Sequence, residues 1–180
     1  MTILWLAAAI VVAMLLRHPI AVAVALVLAV VSGTTFPDID FWLPFGHRSG
    51  MTHSIAPLLL LAYHPRLRGV AAGLAIGIGL HLAADCFPNA MRGYATIKLP
   101  FAGSIGSAAS YGWLGLNALA ALGIGAGIAV RLFDTLVLAV TAIAVAGIAV
   151  AYLAVTDGGW PPLALFAAAG WLTHRRRPGW

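Results

Sequence analysis

Apolar residues run through this chain in long blocks, at about 2–16, 19–36, 54–63, 67–86, 111–130, 134–155 and 161–173, with polar side chains gathered between them. A hydrocarbon core of about 30 Å is crossed by about 20 apolar helical residues, with a usable range of ~17–25. The fourth, fifth and sixth runs are long enough. The first, third and seventh are short, and are expected to tilt, to extend into flanking polar residues or to enter a bilayer only partway. The first run lacks a basic start and a clear small-residue cleavage site before Arg17-His18-Pro19, which predicts a retained span rather than a removed signal. No repeat, low-complexity segment or linker divides the chain. The pattern predicts one polytopic domain over 1–180, an all-α integral membrane protein with a bundle of about six or seven transmembrane or partly inserted helices.

Composition agrees with this pattern. Of 180 residues 62% are apolar and 8% charged, and the mean hydropathy is +1.00. Soluble domains have roughly 45–50% apolar and about 25% charged residues, so a water-soluble fold is excluded. The sequence pI of about 10.2 would suit a nucleic-acid binder, but the cations sit singly between apolar runs. They read as loop charges, and no nucleic-acid partner is expected. With seven alternating segments, Arg17, Arg66, Arg68, Arg131, Arg175, Arg176 and Arg177 fall on one side, and Arg48, Arg92 and Lys98 on the other. The richer side is expected to be cytoplasmic, which predicts a multi-pass protein of the inner (plasma) membrane with a cytoplasmic C-terminus.

The five acidic residues are all Asp, and Asp38, Asp40 and Asp85 fall near histidines. The first cluster is Pro37-Asp38-Ile39-Asp40 followed by His47-Arg48-Ser49-Gly50-Met51-Thr52-His53-Ser54, in a loop holding Pro37 and Pro44. The second is His81-Leu82-Ala83-Ala84-Asp85 at the end of the fourth run, where i,i+4 spacing puts both side chains on one helical face. Topology places both clusters on the non-cytoplasmic face. Ionisable groups in or near a bilayer are costly unless paired, hydrated or coordinated, and one divalent cation would satisfy Asp38, Asp40, His47, His53, His81 and Asp85 together. The single Cys excludes a thiolate site, so imidazole and carboxylate ligands leave Zn²⁺, Mn²⁺ and Fe²⁺ open, as one ion or two. The fold class thus becomes a helical membrane bundle with a polar metal site at one face. Gly69, Gly73 and Gly77, at four-residue spacing, would let another helix approach the His81 and Asp85 pair closely. His18, His64, Asp134, Asp157 and His174 read as solvated charges.

These three motifs, in this order over about residues 33–101, resemble the YdjM-like family of inner-membrane metal-dependent hydrolases, whose pattern is approximately L-P-D-I-D, H-R-G-x-T-H-S and G-Y-x-S-H-x-x-x-D. Two departures stand out: Ser49-Gly50 lengthens the middle motif by one residue, and His18 does not match a family histidine near the N-terminus. The resemblance implies hydrolase activity.

On the residues themselves, a divalent ion would lower the pKa of water from 15.7 to roughly 7 and so supply a nucleophile. Asp38 or Asp40 would ligate or act as general base, with Asp40 the first choice, a His not bound to metal, His47 first, would protonate the leaving group, and Arg48 would clamp a phosphoryl oxygen or pair with Asp38 or Asp40. Ser54 suits an N-cap. Residues 87–110 lack helical periodicity and read as an interfacial lid offering Arg92 and Lys98 to an anionic head group, or simply snorkelling them to the surface. The expected partners are membrane lipids, and the expected substrate is a phosphoester or other ester of a lipid or lipid-linked molecule. A ceramidase-like membrane amidase, a cation transporter and a non-catalytic metal-binding protein are the alternatives.

Overall fold

The computed structural model describes residues 1–42 and 46–175; Pro44, Arg176 and Arg177 lie outside the described residues. The chain is predominantly helical, and each apolar run carries an α-helix: α1 (Thr2–Leu15), α2 (Pro19–Gly33), α3 (Ala56–Ala62), α4 (Arg68–Asp85), α5 (Ser107–Leu132), α6 (Thr135–Val155) and α7 (Trp160–Arg175). Among the described residues three helices are long and apolar enough to cross a membrane, Pro65–Asp85, Ser107–Leu132 and Thr135–Val155.

The breaks follow local chemistry. Leu16 turns extended before Pro19, which starts α2 at a position where a missing N–H costs nothing, and His18 Nδ1 accepts from Ile20 N at 3.3 Å. Asp134 caps α6, its Oδ1 accepting from Val137 N at 2.9 Å. These two residues, expected as solvated charges, each satisfy a helix end. Ser54 works in the same way ahead of α3, accepting from Ala56 N at 3.1 Å and donating to Met51 O. The segment before α5 is more ordered than its lack of periodicity suggests. It holds a 3₁₀ turn at Gly93–Ala95 and a small antiparallel hairpin, β1 (Lys98–Leu99) and β2 (Gly103–Ser104), and α5 starts at Ser107.

At the centre α4 packs between α2 and α5. Gly69, Gly73 and Gly77 face α2: a Cβ on Gly69 would come 2.7 Å from Val22, one on Gly73 would strike the Leu26 carbonyl, and one on Gly77 would come 2.7 Å from Gly33 Cα. The pairings advance together along both helices, so α2 and α4 run parallel in near backbone contact. On the opposite side Gly79 meets Leu122 and Gly125 meets Ile76, which makes α5 antiparallel to α4. The N-terminus of α1 returns to the C-terminal end of α2, where Ser32 Oγ donates to Thr2 O at 2.9 Å. The C-termini of α2 and α4 and the N-termini of α1 and α5 therefore gather at one end. Arg17, Arg66 and Leu132 line a groove at the other.

Candidate metal centre

Three segments meet at the gathered end. A 3₁₀ helix, Pro37–Trp42, follows α2 and carries Asp38 and Asp40. With about three residues per turn, positions i and i+2 point in different directions, so the two carboxylates separate. Asp40 is buried, while the Asp38 side chain is 42% exposed. The second segment, 46–55, supplies His47, Arg48 and His53. Hydrogen bonds from Gly50 N to Lys98 O (2.8 Å) and from Lys98 N to Arg48 O (3.0 Å) clamp it to the hairpin, and Trp113 Nε1 donates to His53 O at 2.8 Å. The third is the last turn of α4, with His81 and Asp85.

Four ligand-type groups converge. One ligand atom each from Asp38, His53 and His81 lies within 4.8 Å of the others. Asp85 Oδ2 is 3.4 Å from both His53 Nε2 and His81 Nε2, and Asp38 Oδ1 is 3.8 Å from His81 Nε2. His53 Nε2, His81 Nε2 and Asp85 Oδ2 are buried with no hydrogen-bond partner. Orphaned polar atoms of this kind are rare and costly.

The partners of the other ring nitrogens define what the orphans are. His81 Nδ1 lies 2.9 Å from Thr34 O, one of the carbonyls that the end of α2 leaves without an intrahelical partner. A carbonyl only accepts, so Nδ1 carries the proton and Nε2 of the neutral ring presents a lone pair. His53 Nδ1 lies 3.2 Å from Asp40 Oδ2. Burial alone would push the Asp40 carboxyl up, but hydrogen bonds with His53, Ser49 N (2.9 Å) and Thr52 Oγ1 (3.1 Å) hold it below the ordinary carboxylate range. As a carboxylate it accepts from His53 Nδ1, and His53 Nε2 likewise presents a lone pair.

With both imidazoles neutral, the three orphaned atoms are all electron-pair donors, each ring nitrogen 3.4 Å from the carboxylate oxygen. A single water has two protons and cannot serve all three; a divalent cation can. Ligands about 2.0–2.2 Å from a tetrahedral ion stand about 3.3–3.6 Å apart, and the separations of 3.4 Å fit that spacing.

The supports are built from the backbone as much as from side chains. Arg48 adopts a left-handed conformation with φ of 58°, at a cost of about 1–2 kcal/mol. Its guanidinium donates to Asp85 Oδ1 at 2.8 Å and to Ala95 O at 2.7 Å. With Oδ1 occupied, Oδ2 of Asp85 is the oxygen turned to the imidazoles.

Of the residues singled out in the sequence, Asp38, His53, His81 and Asp85 come together here. Asp40 stands behind His53. His47 stacks on Phe41 with ring centroids 4.1 Å apart, and its Nδ1 lies 3.4 Å from Asp40 Oδ1, outside the converging atoms. Burial, ahead of the opposing pull of Asp40, lowers the His47 pKa, so that ring is largely neutral at pH 7. Arg48 pairs with Asp85 rather than with Asp38 or Asp40 and is buried. The Lys98 ammonium donates to the carbonyls of His47, Tyr94 and Thr96, at 3.0, 3.2 and 3.0 Å, and so braces the loop. Arg92 is exposed. Thr52 lay within the middle motif without a role assigned to it, and the sequence pattern did not point to Thr34 or to Tyr152, whose Oη lies 3.1 Å from His81 Nδ1. Thr34 acts through a backbone carbonyl, which has no residue signature. Tyr152 is a lone phenol near the end of an apolar run, the usual look of an interfacial anchor.

No protein-family model matches the chain, and no curated protein or solved structure matches it either.

Proposed function

We propose that this chain is a metal-dependent hydrolase embedded in the inner (plasma) membrane, acting on an ester or phosphoester of a lipid or lipid-linked molecule at the membrane interface. One observation carries the reading: three buried electron-pair donors, on two segments far apart in sequence, face one another without partners. His53, His81 and Asp85 would hold the ion, since they are the groups that need it; Zn²⁺ suits the donor set and spacing, with Mn²⁺ and Fe²⁺ close to it. When bound, such an ion supplies Lewis acidity, polarising a carbonyl or phosphoryl oxygen and acidifying water to a pKa of about 7.

The remaining roles belong to this chain's own residues. Asp40 fixes the tautomer and plane of His53, the Thr34 carbonyl does so for His81, and Arg48 turns Asp85. Asp38 is half-exposed at the open side, where water can serve its carboxylate, so it takes the general-base role, accepting the proton of an attacking water. The exposed Arg92 is the cation available to an anionic head group. The centre lies at the end carrying Arg48, Arg92 and Lys98, opposite Arg17 and Arg66, and this distribution of cations supports a non-cytoplasmic site. The three sequence motifs support membership of the YdjM-like hydrolases. A site at one end of the bundle, rather than at mid-depth on broken helices, favours a hydrolase over a transporter.

Metal analysis of the full chain purified in detergent should find stoichiometric Zn²⁺, Mn²⁺ or Fe²⁺. The loaded protein should turn over at least one member of a panel of phospholipid, lipid-phosphate and amide-lipid substrates. Bound metal without turnover on any of them would leave a structural metal protein in its place.

A further inference from the structure

The helix α6 presents an almost wholly apolar surface, and only 11% of its apolar window is buried. Tyr152, one turn before its end, carries a polar group that reaches another helix. Its ring stacks on His81, with centroids 6.4 Å apart and planes inclined by 23°, and its Oη stands 3.1 Å from His81 Nδ1. A phenol serving as an interfacial anchor points its hydroxyl at water and head groups; this one is turned inward. Thr34 O, at 2.9 Å, occupies the same nitrogen.

Two oxygens thus converge on a nitrogen that has one proton. Thr34 O can only accept, so the proton is on Nδ1, and the phenol oxygen meets it as a second acceptor. A shared donor of this kind pushes electron density towards the opposite ring nitrogen and fixes the ring plane, which makes Nε2 a better ligand. We propose that Tyr152 is a positioning residue of the metal centre, its hydroxyl sharing the Nδ1 proton of His81 with the Thr34 carbonyl and so tying α6 to the site. This rests on the metal reading above.

The test uses full-length protein in detergent, titrated with Co²⁺ as a probe with a visible ligand-field spectrum. Tyr152→Phe keeps the ring and its stacking and removes only the oxygen. It should bind Co²⁺ about 10–100-fold more weakly, with a shifted visible band, while helix content and melting of the metal-free protein stay as in the wild type. Site-specific 3-fluorotyrosine at 152, a poorer acceptor of the same shape, should shift the band in the same direction by less, and covers the case in which Tyr152→Phe fails to fold. Wild-type affinity and an unshifted band in both variants would overturn the role of Tyr152 and leave the metal site standing. Failure of the wild type itself to take up Co²⁺ would overturn both.

Discussion

The helices α4 and α6 are both long and apolar enough to cross a bilayer, yet they are used in opposite ways. In α4, 78% of the apolar window is buried inside the protein; in α6 only 11% is, although α6 is the more hydropathic of the two. Leu136, Val140 and Ile143 are all exposed. A soluble fold would reverse this, hiding its most apolar helix. In lipid there is no water-driven reward for covering α6, whereas close backbone approach through glycine gains packing contacts for α4. On the proposed membrane reading, high hydropathy marks the face that meets lipid. Lower hydropathy with glycine marks contact with protein, and that is where polar ligands can be enclosed.

The sharpest way to break this contrast is at the site end of α4. His81→Ala should reduce bound metal from stoichiometric to none by elemental analysis, and retention of metal would show that the converging atoms are not the ligand set. Next, Gly73→Val pushes a side chain into the Leu26 carbonyl across the α2 contact. It should cost about 3 kcal/mol, read as a fall in thermal stability in detergent. On α6 the matching test is Ile143→Arg. If this face meets lipid, the change costs about 2.5–3.5 kcal/mol in a membrane-insertion assay; a face exposed to water would tolerate it. Asp40→Asn and Arg48→Ala should each weaken metal binding about 10–100-fold by competition titration, because each removes a brace from a ligand. A clamp that touches substrate only would instead raise KM and leave metal affinity unchanged. The smallest effect belongs to Gly147→Ala on α6, which has open space around it and should raise stability by up to about 1 kcal/mol through helix propensity alone, read as a small rise in melting temperature in detergent.

Much of the helical architecture was legible along the chain, because a long apolar helix shows itself by a sufficient apolar run and a punctuated end. The runs, Pro19 at the start of α2 and the Gly69, Gly73 and Gly77 face each have a local physical meaning. The hairpin at 98–104 was not legible: its strands are two residues each, too short to show alternation, and they exist because Arg48 and Gly50 pair with Lys98. The split between Asp38 and Asp40 was equally hidden. Both read as equivalent carboxylates until the 3₁₀ turn sent one to the open rim and the other beneath His53.

By itself, the sequence determined that the chain is a set of apolar helices with its scarce carboxylates beside histidines at loop and helix-end positions, since composition and run length depend on residue identity alone. Only the tertiary structure decided which of those groups point their lone pairs at a common centre and which stand behind them. That choice depends on backbone carbonyls, on the hand of one arginine and on a tyrosine from a distant helix, none of which has a spacing to read.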